Sequence, residues 1–363
     1  MALILKKIVK KIAVNILISI CAIVLLFVFL EIFIRVFKVE TVIVHKGYGV
    51  NKEQPTYFNP SQTHFYKTKE SSFTIAINKY GRRDKEWDKA VFSDSSNIIF
   101  IGDSLILGYG VDDEWCIPSV IEKLAFERKH KEIEIFNFSI VDISIPEYKQ
   151  LLEDALAMGI KAKNVVVGVF VGNDFINETK TTRKKKNAAN QSLEWLSSHS
   201  KLYAFLKLRI GSSPQLVRQA LYLGRLINVN LYDSSSNYIY LKRQTAEEEA
   251  YFQHILEYLG EIKGICLKNN QRLYVVIFPN KIQVENRKDF PLELFDMEKP
   301  NRLIGQYCRE KGIKYLDLLS ALNIEYEKTH EVLYYAIDRH FTKAGNFFSS
   351  ELITSFLEEQ GVL

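Results

Sequence analysis

From residue 97 onward, short apolar runs alternate with stretches of helical spacing, and nothing else in the sequence restricts the fold as strongly. "NIIFI" (97–101), "EIEIFNF" (132–138), "NVVVGVFV" (164–171), "RLYVVIF" (272–278) and "IKYLDLL" (313–319) read as strands. "WCIPSVIEKLAFERKH" and "PEYKQLLEDALAMG" lie between the first three and carry apolar residues at helical spacing. Pro146 suits a helix start and Gly159 a helix end. Thr245 and Glu248 make a capping-box pattern before "AYFQHILEYLGEIKGICLKN". "RLIGQYCREKG" and "TKAGNFFSSELITSFLEEQ" are two further helices, the latter capped by Thr342. A continuous apolar run such as "NVVVGVFV" suits a parallel strand covered on both faces. The alternation therefore implies an α/β fold: a parallel sheet with helices on both faces and right-handed crossovers.

The N-terminus follows different physics. Lys6, Lys7, Lys10 and Lys11 precede Ile12 to Leu30, a stretch without a charge whose clearly polar residues are Asn15 and Ser19. About 20 such residues span a bilayer core as a helix. A cleaved signal would have a shorter apolar region and a small-x-small site, whereas this run continues into "EIFIRVFKVE". Residues 1–38 are thus expected to form an uncleaved single-pass anchor in the cytoplasmic (inner) membrane. The lysine cluster should remain cytoplasmic, with everything after about residue 40 extracytoplasmic or periplasmic.

Residues 39–96 read as a connecting arm of irregular structure, with "SSFTIAINKYGRRD" as a short strand and a turn at Gly81. Residues 175–244 break the alternation and read as a largely helical insertion or cap on the domain spanning 97–363. The basic run "TTRKKKN" in it reads most simply as a solvated loop, with binding to acidic glycan or lipid headgroups as the alternative. Basic and aromatic residues are too scattered for a nucleic-acid surface. Cys116, Cys266 and Cys308 lack metal-type spacing and can form at most one disulfide among them. The histidines have no paired ligand spacing, so metal catalysis is not supported, and no cofactor is expected.

In such a sheet, functional residues gather where the carboxyl ends of strands meet loops. Ser104 follows the first strand, Asn173 the third, and Asp338 and His340 precede the last helix. A serine, an imidazole and a carboxylate are the parts of a nucleophilic hydrolase. Asp103 reads as a cap on the helix after Ser104, and Asp174 as a structural partner of its own loop.

"GDSLILGYGV", "VGNDF" and "DRHFTKAG" resemble, in that order, the conserved blocks of the SGNH/GDSL hydrolases. "GYGVDDEW" and "INKYGRRDKEW" are similar to the bacterial membrane-anchored branch, and the resemblance covers roughly residues 75 to 360. It implies a flavodoxin-like three-layer α/β/α fold. It further implies catalysis by Ser104, Asp338 and His340, with an oxyanion hole from Ser104, Asn173 and the Asp142 position. The implied activity is that of a serine esterase or O-acyltransferase on an acyl ester or O-acylated glycan or lipid of the cell envelope. Three positions depart from the pattern. Val171 replaces a glycine, the last block is Asp-x-His rather than Asp-x-x-His, and Asp142 stands where the oxyanion-hole glycine is usual. The last departure favours an alternative reading: a non-catalytic envelope protein that binds glycan or helps assembly.

Overall fold

The computed structural model describes residues 2–37, 50, 56–68, 70–175, 199–212, 237–285, 287, 290 and 292–363. The chain divides into two compact units, one of residues 1–44 with 182–217 and one of 45–181 with 218–363.

In the larger unit, strands β3 (Ile98–Gly102), β4 (Ile135–Ser139), β5 (Asn164–Phe170), β6 (Arg272–Phe278) and β7 (Lys314–Asp317) form one parallel sheet. Its order is β4-β3-β5-β6-β7, the flavodoxin-like arrangement. Ile98 pairs with Ile135 on one side and Asn164 on the other, and Val165 pairs with Leu273. Side chains alternate between faces along each strand. Ile98, Phe100, Val166, Tyr274 and Val276 pack with Ile117, Ile121, Leu322, Ile353 and Leu357 from helices Ile117–Lys129, Leu319–Thr329 and Lys343–Glu359. Ile99, Ile101, Val165, Val167 and Val275 face the other way and are also buried. Helices Ile145–Ala157 and Ala246–Lys268 pack together and against β3 and β6 there. The α/β/α layering is thus the one the strand and helix patterns imply.

Burial on both faces explains why these strands read as unbroken apolar runs. From β3 the chain moves out to β4, then returns to the far side of β3 as β5. The order reverses between β3 and β5, and a crevice opens beyond their carboxyl ends at such a switch point.

The segment expected to be an irregular arm differs over its described residues. Strands β1 (Gln62–Lys67) and β2 (Ser72–Ile77) pair as an antiparallel hairpin, Lys67 opposite Ser72. Phe73, Ile75, Ile77 and Trp87 are buried, as are Arg82 and Arg83, so this segment contributes core to the larger unit. The Arg82 guanidinium lies over Phe138 of β4 and over Tyr57. The Arg83 guanidinium spends its donors on the Asp113 carboxylate and on four carbonyls, those of Thr74, Leu107, Gly108 and Val111. Buried cations normally need such partners, and the sequence does not reveal where those partners lie.

The smaller unit contains helix Ala2–Val36, within which Lys10–Val36 is long and apolar enough to cross a membrane. Near its end, Glu31 accepts hydrogen bonds from Ser200 Oγ (2.9 Å) and the N–H groups of Lys201 (2.9 Å) and Leu202 (2.7 Å). It thereby satisfies free donors at the start of helix Lys201–Ser212. That helix agrees with the helical reading of part of 175–244. The basic run and the stretch "LVRQALYLGRLI" lie outside the described residues.

Candidate active site

At the end of β3 the chain turns at Asp103 into a short helix, Ser104–Leu107. The Asp103 carboxylate caps it by accepting the Leu105 N–H at 2.9 Å. The helix stops at Gly108, which takes φ +85°. It lies directly on the strand ends. A Cβ on Gly102 would come within 2.3 Å of Ile106 Cγ1, and one on Gly168 within 2.6 Å of Ile106 Cδ1. Two glycines in neighbouring strands thus let the helix settle close enough to fix Ser104 at the crevice.

Ser104 Oγ lies 2.8 Å from His340 Nε2. His340 Nδ1 is hydrogen-bonded in turn to Asp338 Oδ1. With the carboxylate accepting from Nδ1–H, Nε2 is left as the acceptor for the serine hydroxyl. The side chains of His340 and Asp338 are 16% and 7% exposed, so the pair is largely shielded from solvent. The Tyr109 ring packs on the imidazole with centroids 4.7 Å apart.

Asn173 sits in the turn after β5, and its Nδ2 donates to Asp103 Oδ2 at 2.7 Å. The amide nitrogen carries two hydrogens, and this bond uses one of them. Asp103 is fully buried, and burial raises its carboxyl pKa against the opposing effects of the Leu105 N–H, His340 and Asn173. Asp174 accepts the Phe170 N–H at 2.7 Å and the Tyr148 hydroxyl at 2.8 Å. Burial first, then the nearby Asp103 charge, pushes its pKa well above the usual carboxylate range.

Asp142 follows β4 at the same sheet edge, since Ser139 pairs with Gly102 and the Ile140 N–H bonds to the Gly102 carbonyl at 3.3 Å. Its φ is +57°, in the left-handed region that favours glycine. Its side chain is exposed. Of the five candidate catalytic and oxyanion-hole residues, Ser104, His340 and Asp338 form one hydrogen-bonded chain. Asn173 bonds to Asp103, the residue before Ser104, and Asp142 bonds to none of them.

Three contributors were not singled out from sequence. Tyr109 covers the imidazole, Arg83 holds the loop after the short helix, and Glu70 accepts the main-chain N–H of Asp338 at 2.9 Å. "GYG" and "GRRD" are visible in the sequence, but Glu70 has no local signal.

No protein-family model matches the chain, and no curated protein matches it. Among solved structures it is similar to a lipase/acylhydrolase from Enterococcus faecalis, at 13% identity and a TM-score of 0.42, over 73% of this chain and 96% of that one. It is also similar to an acetylxylan esterase from Geobacillus stearothermophilus, at 14% identity and a TM-score of 0.41, over 72% and 93% of the two chains. A third is an alpha/beta hydrolase enzyme from the metagenome of Lake Arreo, at 11% identity and a TM-score of 0.43, over 75% and 99%.

Proposed function

We propose that this protein is a serine ester hydrolase or O-acyltransferase that works through an acyl-enzyme on Ser104. The observation that carries the reading is the chain from Ser104 Oγ through His340 to Asp338. Ser104 Oγ attacks the ester carbonyl as its proton passes to His340 Nε2, and the carbonyl π electrons move onto oxygen. Asp338 holds the imidazole in the required tautomer and offsets its positive charge. The Ser104 N–H and the second Asn173 amide hydrogen are suitable donors for the oxyanion, and the Asp142 N–H is a third. Asp142 has a φ that a glycine would readily take, and the residue is exposed. Collapse of the tetrahedral intermediate breaks the ester C–O bond, and His340 protonates the leaving alcohol. Water or a sugar hydroxyl then takes the acyl group by the same steps.

The apolar helix Lys10–Val36 supports a single-pass anchor, with the lysine cluster in the cytoplasm and the site outside. An envelope glycan or lipid carrying O-acyl groups is then the substrate class. An alkyl fluorophosphonate tests the mechanism directly. It should phosphonylate the full-length protein in detergent, with the adduct on Ser104 by peptide mass spectrometry. An unlabelled protein, or an adduct on another residue, overturns the assignment.

A further inference from the structure

The loop carrying Asp338 and His340 is closed on itself and then gripped from outside. The Thr342 N–H bonds to the Leu333 carbonyl (2.9 Å), and the Tyr335 N–H to the His340 carbonyl (2.9 Å). Glu285 accepts the N–H groups of Leu333 (2.9 Å) and Tyr334 (3.0 Å) at the loop's base. At its tip, Arg339 takes φ +70°, which reverses the chain between the two functional side chains. Few non-glycine residues adopt that angle, and those that do are held in it by their surroundings. Glu70 is part of those surroundings. Its carboxylate accepts the N–H of Ile337 (3.0 Å) and that of Asp338 (2.9 Å).

Glu70 is itself fixed. Thr68 Oγ1 accepts the N–H groups of Glu70 (3.1 Å) and Ser71 (2.9 Å) in the hairpin turn. The hairpin is tied to the loop after Ser104 by the Thr74 N–H, which donates to Asp112 at 2.9 Å, and by Arg83. A ladder of rings, Tyr66, Phe73 and Tyr109, runs from the hairpin to His340, with centroid spacings of 5.3, 4.9 and 4.7 Å.

We propose that Glu70 is a positioning residue for the Asp338–His340 pair. By holding two successive main-chain N–H groups it sets the direction of the Asp338 carboxylate, and so the aim of His340 Nε2 at Ser104. The hairpin upstream of the sheet is then part of the active-site frame. The proposal rests on the reading of Ser104 as nucleophile.

The test uses the full chain in detergent, with p-nitrophenyl acetate as substrate and an alkyl fluorophosphonate as probe. Glu70→Ala should lower kcat about 10- to 100-fold, the scale of a small misplacement in a catalytic constellation, with KM within about twofold. Labelling of Ser104 should slow by the same factor. Glu70→Gln, whose amide oxygen still accepts, should recover most of the rate, and it serves as the readout if Glu70→Ala does not fold. In an Asp338→Asn background, Glu70→Ala should cost less than about threefold, because a residue acting through Asp338 loses its effect when that carboxylate is gone. A full additional loss in that background, or an unchanged kcat in Glu70→Ala, overturns the proposal. A wild-type protein that the probe does not label overturns the nucleophile assignment instead, and this proposal with it.

Discussion

The Asn173 side chain donates to the Asp103 carboxylate at 2.7 Å, and that bond ties the turn after β5 to the turn after β3. Asp103 thereby serves two groups, since it also caps the short helix through the Leu105 N–H. Asn173→Ala should reduce kcat by about 10²–10³, the usual loss for one oxyanion donor. Asp103→Ala removes both the cap and the partner that orients the amide. It should lose about 1 kcal/mol of stability from the cap and a rate within tenfold of that of Asn173→Ala. Steady-state kinetics and urea unfolding measure both. An Asp103→Ala protein with wild-type kcat would show that the amide is aimed by something else.

Ser104→Ala and His340→Ala should each abolish turnover, and the double variant should be no worse than either. Nucleophile and base act as one unit, so their effects do not add. Rates on p-nitrophenyl acetate with purified single and double variants decide this. Ester hydrolysis persisting in Ser104→Ala at the wild-type rate would remove the serine from the mechanism.

Asp142→Gly should leave turnover within tenfold and stabilise the fold by up to about 1 kcal/mol. The aspartate already holds φ +57°, where glycine carries no steric cost, and its exposed carboxylate opposes an oxyanion only weakly through solvent. A gain of tenfold or more in kcat would mean that the charge does reach the reacting carbonyl.

Arg83→Lys should destabilise the larger unit by about 2–4 kcal/mol. A lysine has three donors on one nitrogen and cannot serve five acceptors spread over the hairpin and the loop after Ser104, so buried carbonyls lose their partners. Thermal and urea unfolding give the difference, and a change under 0.5 kcal/mol, on the scale of an ordinary surface substitution, would contradict it.

Burial pushes the thiols of Cys116, Cys266 and Cys308 up to about 12. The thiolate is the nucleophile, so iodoacetamide at pH 8 should alkylate none of the three in the folded protein and all three in guanidinium. The sign for stability follows from the same shift. Each thiol holds its proton more tightly folded than unfolded, so its contribution is complete below pH 9 and is lost as the pH rises toward 12. The urea midpoint should therefore fall between pH 8 and pH 11. Rapid alkylation of Cys116 at pH 8 without unfolding would show that its surroundings open.

Much of the sheet was legible because burial on both faces leaves a local trace, as in "NVVVGVF" of β5. Ser104 and Asn173 were legible because each sits where such a run breaks. Asp338 and His340 could be placed beside them through their block and the last helix. The hairpin was only half legible. "SFTIAI" shows a strand's alternation, but its partner "QTHFYK" has a weak pattern, exposed along one side. Glu70 was not legible at all, because its partners lie 267 and 268 positions away and main-chain N–H groups have no residue identity. The burial of Arg82 and Arg83 was hidden for the same reason: a charged pair in "GRRD" reads locally as solvent-exposed. Asp142 was placed by block order, while its exposed side chain depended on a backbone angle that sequence does not state.

On the proposed mechanism, the separation of 236 in sequence between Ser104 and His340 also bears on when activity can begin. Chains are made from the N-terminal side, and a domain generally folds as a unit, with its distant contacts costly to close. A growing polypeptide therefore carries Ser104 long before His340, the base proposed to take its proton, has been made. Until the Asp338–His340 loop has been synthesised and docked, the serine is an ordinary alcohol, and a partly made or stalled molecule should leave nearby esters intact.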